Sequence, residues 1–172
     1  MLTNHARLMQ FFSEADEITG RKKLQKMIYI LQKCHMPFEE KYQFHFYGPY
    51  SEELSLRVQE LCNLGFIAEE KESVRNYIQY HYQLTDDGRA FLNQFHLDMP
   101  DMSEQIHMLK ARSSRFLELL STMLYFEGLT MDKLTDKIHT VKPKQNYTDA
   151  EIDEAVQFIP YMMGINHPKN GG

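Results

Sequence analysis

The chain has 172 residues, of which 42% are hydrophobic and 25% charged, and its formal net charge is −5. This composition is typical of a globular protein with a buried core, whereas a protein that coats nucleic acid usually has a strongly basic balance. Two cysteines are too few for a disulfide framework, the N-terminus lacks a signal-peptide pattern, and no apolar run approaches the roughly 20 residues that span a bilayer. We therefore expect a cytoplasmic protein without membrane association, in which any DNA contact comes from a local patch.

Two helices are predicted at the start of the chain. Apolar side chains recur at helical spacing in residues 2–14 and again in residues 21–34. The apolar face of the second helix is formed by Leu24, Met27, Ile28 and Leu31. Its opposite face, which we expect to be open to solvent, carries Lys22, Lys26, Tyr29 and Lys33.

A short strand and a third helix are predicted next. Residues 42–47 are rich in aromatic side chains, which indicates a strand that Gly48-Pro49 then ends. Ser51 is a suitable N-cap for the helix, and Gly65 tolerates the left-handed backbone that ends helices. The inward face of this helix is predicted to be Leu54, Val58 and Leu61.

A hairpin is predicted over residues 66–84, because a polar turn at 73–76 separates two runs, and side chains alternate in the second run, residues 77–84. Thr85 then caps a fourth helix. The order helix, helix, short strand, helix, hairpin, helix is that of a winged helix-turn-helix domain, with the hairpin as the wing. The predicted fold class is thus α+β, mostly α, with a winged-helix domain in residues 1–97.

Residues 101–165 are predicted to form a helical extension of that domain. A long helix runs from about residue 103 to 127, and its apolar residues recur at alternating spacings of three and four. This seam consists of Ile106, Leu109, Phe116, Leu120 and Met123. The spacing fits both a homodimer and packing against the chain's own C-terminal helices, so both remain open.

Two shorter helices complete the extension, at residues 130–140 and 148–162. Thr148 and Glu151 fit a capping box at the start of the second. Residues 166–172 are predicted to be a flexible tail.

Motifs of catalysis and metal binding do not occur in this sequence. The eight histidines are scattered, and none forms the i, i+4 pair with a glutamate that a helical zinc site needs. There is no GxSxG elbow, Walker loop or GxGxxG. The carboxylate pairs Glu52/Glu53 and Asp86/Asp87 begin helices, where the helix dipole explains them. We therefore predict no catalytic residue, no cofactor and no metal, and a protein that is not an enzyme.

Basic and amide side chains on three predicted elements are candidates for contact with DNA or a protein partner. They are Arg21, Lys22, Lys23, Lys26 and Lys33 on the second helix, Gln59 and Asn63 on the third, and Lys71 and Arg75 on the wing. Acidic residues beside them, such as Glu60 and Glu72, would meet DNA phosphates at close range. A solvated helix face without any ligand is the alternative interpretation of the basic helix.

The chain resembles the YwgA-like family of uncharacterised proteins from Gram-positive bacteria in three stretches taken together, residues 20–29, 44–54 and 84–92. More distantly, Lys23-Leu24-Gln25-Lys26 followed by Tyr47-Gly48-Pro49 is similar to the Panacea (SocA-type) antitoxin domain, in which a KLQK helix precedes a YGP turn. The close resemblance implies no catalytic residues. The distant one implies a protein-binding or regulatory role, including toxin neutralisation, although the roughly 70 residues after the wing depart from the compact form of that domain.

Two functions follow from these observations. The first is a DNA-binding transcriptional regulator, acting as a homodimer through residues 103–127. The second is a protein-protein interaction module, antitoxin-like, without direct DNA contact. The frequency of DNA binding among bacterial winged helices favours the first, which is our prediction, while the acidic charge balance favours the alternative.

Overall fold

Helices dominate the computed structural model, which describes residues 2–165. The helices of these residues are α1 Thr3–Ala15, α2 Arg21–Lys33, α3 Glu52–Asn63, α4 Asp86–Asn93, α5 Ser103–Lys110, α6 Ser114–Tyr125, α7 Met131–Val141 and α8 Asp149–Ile165, with a 3₁₀ turn at Pro143–Gln145. The strands are β1 Glu17–Thr19, β2 Gln43–His45, β3 Gly48–Tyr50, β4 Ile67–Val74 and β5 Tyr77–Leu84. The fold is therefore mostly helical α+β, which confirms the predicted class at that level. The predicted tail at 166–172 lies outside the described residues.

Two small antiparallel sheets accompany the helices. One has three strands in the order β1-β5-β4, and the other is the β2–β3 pair. The predicted hairpin is confirmed as β4 and β5, in which Ile67 pairs with Leu84 and Val74 with Tyr77. Sequence reasoning missed β1, because three residues are too few to show a period of two.

Gly48-Pro49 was predicted to end the strand, but β2 already ends at His45, and Gly48 and Pro49 belong to β3. Instead, Phe46 and Tyr47 form a tight turn, and the chain returns as β3 with Phe44 opposite Pro49. Gly48 has φ of +96°, a backbone conformation that glycine adopts without strain. The Gly-Pro pair thus begins the returning strand, which leads into the next helix.

The predicted helix caps are largely confirmed. The Ser51 side chain accepts from the Leu54 N–H at the start of α3, and Thr85 accepts from the Gly88 N–H at the start of α4. At α8, Glu151 accepts from the Thr148 N–H at 3.0 Å while the Thr148 hydroxyl accepts from the Glu151 N–H at 3.1 Å. This exchange is the reciprocal pair that a capping box requires.

The single long helix predicted over residues 103–127 is wrong. The structure has two helices there, because the chain leaves helical conformation at Ser113 (φ −71°, ψ 157°). The Ser113 hydroxyl caps the new helix by accepting from the Phe116 N–H at 3.1 Å. Serine competes well for backbone donors at such positions, so an apolar repeat that runs through it does not ensure a continuous helix.

The five predicted seam residues are buried inside the chain, none being more than 8% exposed: Ile106, Leu109, Phe116, Leu120 and Met123. They belong to one cluster of buried side chains to which α1, α2, α3 and the C-terminal helices all contribute. A second copy could reach these side chains only if that core opened. The hydrophobic core therefore crosses the predicted boundary at residues 98–100.

The solvent-exposed face predicted for α2 is wrong at Lys26 and Tyr29, although Lys22 is exposed. Lys26 is 3% exposed and Tyr29 4%, and every residue from Leu24 to Leu31 is buried. Tyr29 packs edge-on against Tyr42 and also contacts Tyr125 of α6. The helix has helices and turns on both sides, which periodicity alone could not indicate.

Within residues 2–165, no helix combines the length and apolar character needed to cross a lipid bilayer.

Candidate binding cavity

A cavity of about 620 Å³ opens between the first half of α2, the β2–β3 turn, one side of α3 and the base of the β4–β5 hairpin. Its floor is apolar and includes Leu24, Leu54 and Val58 of the core. Its walls carry His45, Phe46, Tyr47, Tyr50, Tyr82, Arg21, Lys22, Lys26, Gln59, Asn63 and Glu69. An apolar floor with a few polar and charged groups above it is the usual form of a ligand pocket.

Two side chains of α2 hold the turn that forms one wall of this cavity. Gln25 Nε2 donates to the carbonyl O of Ser51, and Gln25 Oε1 accepts from the Ser51 N–H, both at 2.9 Å. Lys26 Nζ donates to the carbonyl O of Pro49 at 2.8 Å. The motif that ends in Lys26 and the motif that contains Pro49 therefore bind each other, and the contact of Lys26 with DNA or a partner stays a prediction.

Lys23 and Lys33 are likewise engaged within the chain. Lys23 Nζ donates to the carbonyl oxygens of Lys110 at 2.6 Å and Arg112 at 3.2 Å, where α5 ends. A cation at that position satisfies carbonyls that lack helical partners. Lys33 Nζ lies 3.0 Å from the carboxylate of Glu127.

Arg21 and Lys22 remain exposed and lie against aromatic rings. The Arg21 guanidinium is 3.7 Å from the centroid of the Tyr80 ring, and its Nε donates to the Tyr82 hydroxyl at 3.2 Å. Lys22 Nζ is 3.3 Å from the centroid of the Tyr47 ring. Such cation–π contacts fix the position of each charge. Arg21 also lies 3.6 Å from the carboxylate of Glu69, whereas no carboxylate of residues 2–165 forms an ion pair with Lys22.

The remaining predicted contact residues are all exposed. Gln59 and Asn63 stand on the cavity wall formed by α3. Lys71 lies on β4 opposite Tyr80, and Arg75 lies in the hairpin turn with φ of +55°. The structure thus gathers Arg21, Lys22, Lys26, Gln59 and Asn63 around one cavity, and leaves Lys23, Lys33, Lys71 and Arg75 outside its lining.

A buried charged cluster lies beside the cavity. None of its three members is more than 8% exposed: Lys26, Lys142 and Glu118. Lys142 Nζ donates to the carbonyl O of Phe46 and lies 3.8 Å from Glu118, whose other oxygen accepts from the Tyr147 hydroxyl at 3.1 Å. Burial lowers the pKa of Lys26 to about 8, although Glu118 opposes the shift. Two buried ammonium groups thus face one carboxylate.

Residues 2–165 contain no group of three or more His, Cys, Asp or Glu side chains arranged to hold a metal ion. His81 has the most polar contacts of the histidines in that part of the chain. Its Nδ1 lies 2.9 Å from Glu17 and 2.9 Å from the Thr19 hydroxyl, and its Nε2 lies 2.6 Å from Glu72. These contacts link β1, β4 and β5, so they stabilise the three-stranded sheet.

Sequence reasoning missed several residues that shape the cavity. Phe46 and Tyr47 are 76% and 47% exposed at the β2–β3 turn, although their aromatic character indicated a strand. Gln25 was not singled out, because an amide in an apolar helix resembles a surface residue. The absence of any acid between Arg21 and Lys33 was a usable signal, since those charges need partners from other elements.

The fold and cavity define a small, mostly helical α+β protein with a pocket that is apolar at its floor and basic and aromatic at its walls. No protein-family model matches the sequence. Over 165 residues, which are 96% of this chain and 99% of the relative, it is 59% identical to a Bacillus subtilis (strain 168) protein named "Uncharacterized protein YwgA". The chain therefore belongs to the YwgA family, as its motifs predicted. The more distant resemblance to the Panacea domain stays a prediction.

Proposed function

We propose that this protein is a non-catalytic docking module whose cavity binds a short segment of a partner protein. An apolar side chain of that segment packs on the floor formed by Leu24, Leu54 and Val58. An acidic neighbour in the segment faces Arg21 and Lys22. Toxin neutralisation, which the distant resemblance implies, is one form of such docking.

The observation that carries this proposal is the exposed aromatic turn above an apolar floor. Phe46 is 76% exposed although it lines the cavity. Large aromatic side chains beside a pocket are typical anchors of protein interfaces, where they become buried by the partner. A partner that covers Phe46 and Tyr47 would remove this apolar surface from water.

The charge distribution favours a protein partner over DNA, which reverses the order of our two sequence-based hypotheses. Lys23, Lys26 and Lys33 bind carbonyls or a carboxylate within the chain. On the outer side of α3, Glu52 and Glu60 are exposed and would repel phosphates. Three of the seven predicted cations are therefore engaged within the chain, and the four exposed ones are divided between α2 (Arg21 and Lys22) and the hairpin (Lys71 and Arg75).

We also propose that α1, α2, α3 and the β1-β5-β4 sheet form a winged-helix unit. In its support, β1 lies between the first two helices and pairs with the second strand of the hairpin. The β2–β3 pair is then an insertion between α2 and α3. This insertion supplies Phe46 and Tyr47, so it would adapt a winged helix to a partner other than DNA.

Duplex DNA is the second candidate ligand, favoured by the exposed Lys71 and Arg75 of the wing-like hairpin. Binding to mixed duplex DNA at low and moderate salt tests it, with a Lys71→Glu/Arg75→Glu variant. Salt-sensitive binding that this variant loses would put DNA ahead of a protein partner.

Site-specific photocrosslinking in cells tests the docking proposal. A photoreactive residue at Gln59 should crosslink one partner protein, and the same residue at Tyr161, which is 71% exposed elsewhere, should not. The purified partner is then titrated against the wild type, Phe46→Ala and Tyr161→Ala by calorimetry. We expect Phe46→Ala to weaken binding about tenfold or more, as for an interface hot spot, and Tyr161→Ala to leave it unchanged. Equal affinities for the two variants would contradict the proposal.

A further inference from the structure

A second, smaller cleft of about 180 Å³ lies next to the cavity, between α2 and α6. It shares Lys22, Lys26 and Tyr47 with the cavity. Its other lining residues are Lys23, Ser114, Arg115, Glu118 and Gln145. The cleft is therefore small and has four cationic side chains in its lining against one carboxylate.

The charged groups that α6 contributes are already paired. The Arg115 guanidinium binds the Glu151 carboxylate with two bonds, of 2.7 and 3.1 Å. Glu118 lies 3.8 Å from Lys142 and accepts from Tyr147. Each of these two groups therefore has a partner of opposite charge outside α2.

The three lysines that α2 contributes are not paired with acids. Among the side chains of residues 2–165, no carboxylate forms an ion pair with Lys22, Lys23 or Lys26. Lys23 and Lys26 donate to backbone carbonyls, and Lys22 lies over the Tyr47 ring. Glu118 is the one carboxylate in the lining and faces Lys26, so the cleft holds more positive than negative charge. A buried charge such as Lys26 is costly when it is balanced only in part.

We propose that this cleft, here named the lysine cleft, binds a phosphate group. An ammonium has three N–H donors, and the bond to Pro49 uses only one of those of Lys26. Lysine acts on phosphate as a point charge, and a phosphate group carries close to two negative charges at neutral pH. Because the cleft has a surplus of more than one positive charge, a phosphate group balances that charge better than a carboxylate does. The inference goes beyond the docking proposal and does not depend on it.

Titration with inorganic phosphate at constant ionic strength, followed by amide NMR, tests the lysine cleft. We expect saturating shifts in residues 22–26 and 114–118. Lys22→Gln should weaken binding about tenfold, since it removes one exposed cation and no core contact. Lys33→Gln is the matched control on the same helix, because Lys33 pairs with Glu127 away from the cleft, and it should bind like the wild type.

Two further arms complete this experiment. Acetate should not saturate the same amides at the concentrations at which phosphate does, and acetate binding of equal strength would overturn the proposal. O-phosphoserine tests whether the ligand is a phosphoryl group on a larger molecule. Additional amide shifts at Tyr47 with O-phosphoserine would identify such a molecule as the ligand. Shifts with inorganic phosphate alone would indicate the free anion. If phosphate shifts the amides of Lys22→Gln and Lys33→Gln equally, the shifts come from the nonspecific effect of phosphate salt on the folded protein, and the proposal is overturned.

Discussion

Gln25 shows how one buried amide can fix the geometry of a binding site. It is 5% exposed, and its side chain satisfies both the N–H and the carbonyl of Ser51, where α3 begins. Its Nε2 also lies 3.1 Å from the Ser55 hydroxyl. The position of α3 relative to α2, and hence the width of the cavity, depends on this residue.

Replacing Gln25 with Met should therefore destabilise the protein by about 2–4 kcal/mol, because two buried backbone groups lose their partners. Urea denaturation measures the change. Gln83→Met is the control, since Gln83 is exposed on β5 and should alter the free energy of unfolding little. Equal denaturation midpoints for the two variants would show that Gln25 does not hold Ser51.

His81 makes the stability of the three-stranded sheet depend on pH. The hydrogen bonds that its ring N–H groups donate to Glu72 and Glu17 raise the pKa of His81 above the ordinary value of about 6.5. A raised pKa means that the charged imidazole favours the folded state. The stabilisation is complete below about pH 6.5 and is lost as the pH rises through the higher pKa of the folded protein.

His81→Gln should accordingly lower the thermal midpoint at about pH 6 more than at about pH 8.5. Thermal unfolding followed by circular dichroism over this range measures the difference. His96→Gln serves as a control, because His96 is exposed outside the sheet. A pH-independent difference between the wild type and His81→Gln would contradict the assigned ion pairs.

At the scale of elements, the break between α5 and α6 decides how the C-terminal half packs. The break turns α6 so that nine consecutive residues from Phe116 to Leu124 are buried. A helix buried on all sides belongs to the centre of a fold. The α5–α6 break thus makes α6 a core helix next to α2.

Ser113→Ala should cost about 1 kcal/mol of stability, because the first turn of α6 loses its cap. Ser114→Ala is the matched control, since Ser114 is exposed one residue further on and is not the cap. Chemical denaturation of both variants measures the two costs. If Ser114→Ala costs as much as Ser113→Ala, the cap is not what defines the break.

Local sequence patterns were sufficient for most elements but not for their surroundings. The caps at Ser51 and Thr85 and the β4–β5 hairpin depend on neighbouring residues, so short-range rules predicted them. The burial of Lys26 depends on Pro49 and on α6, which lies about 90 residues later in the chain. Five of the nine predicted contact residues lie at the cavity, but their roles could not be derived without that packing.

At the scale of the whole molecule, the residues of the predicted dimer seam lie in one continuous core. Leu120 is fully buried within the chain. Leu120→Ala should therefore lower the free energy of unfolding by about 2–5 kcal/mol, as in other cores. Unfolding at several protein concentrations separates the alternatives, because a dimer held by this seam would have a concentration-dependent midpoint. We expect a constant midpoint for the wild type and the variant.

The enclosure of α2 has a consequence for backbone motion. Its amides from Leu24 to Leu31 are covered by elements drawn from both halves of the sequence. No local fluctuation can expose them to solvent without separating those elements, so their deuterium exchange should follow global opening. In an exchange experiment, this peptide should be among the last to label, and its rate should report directly on the population of unfolded molecules.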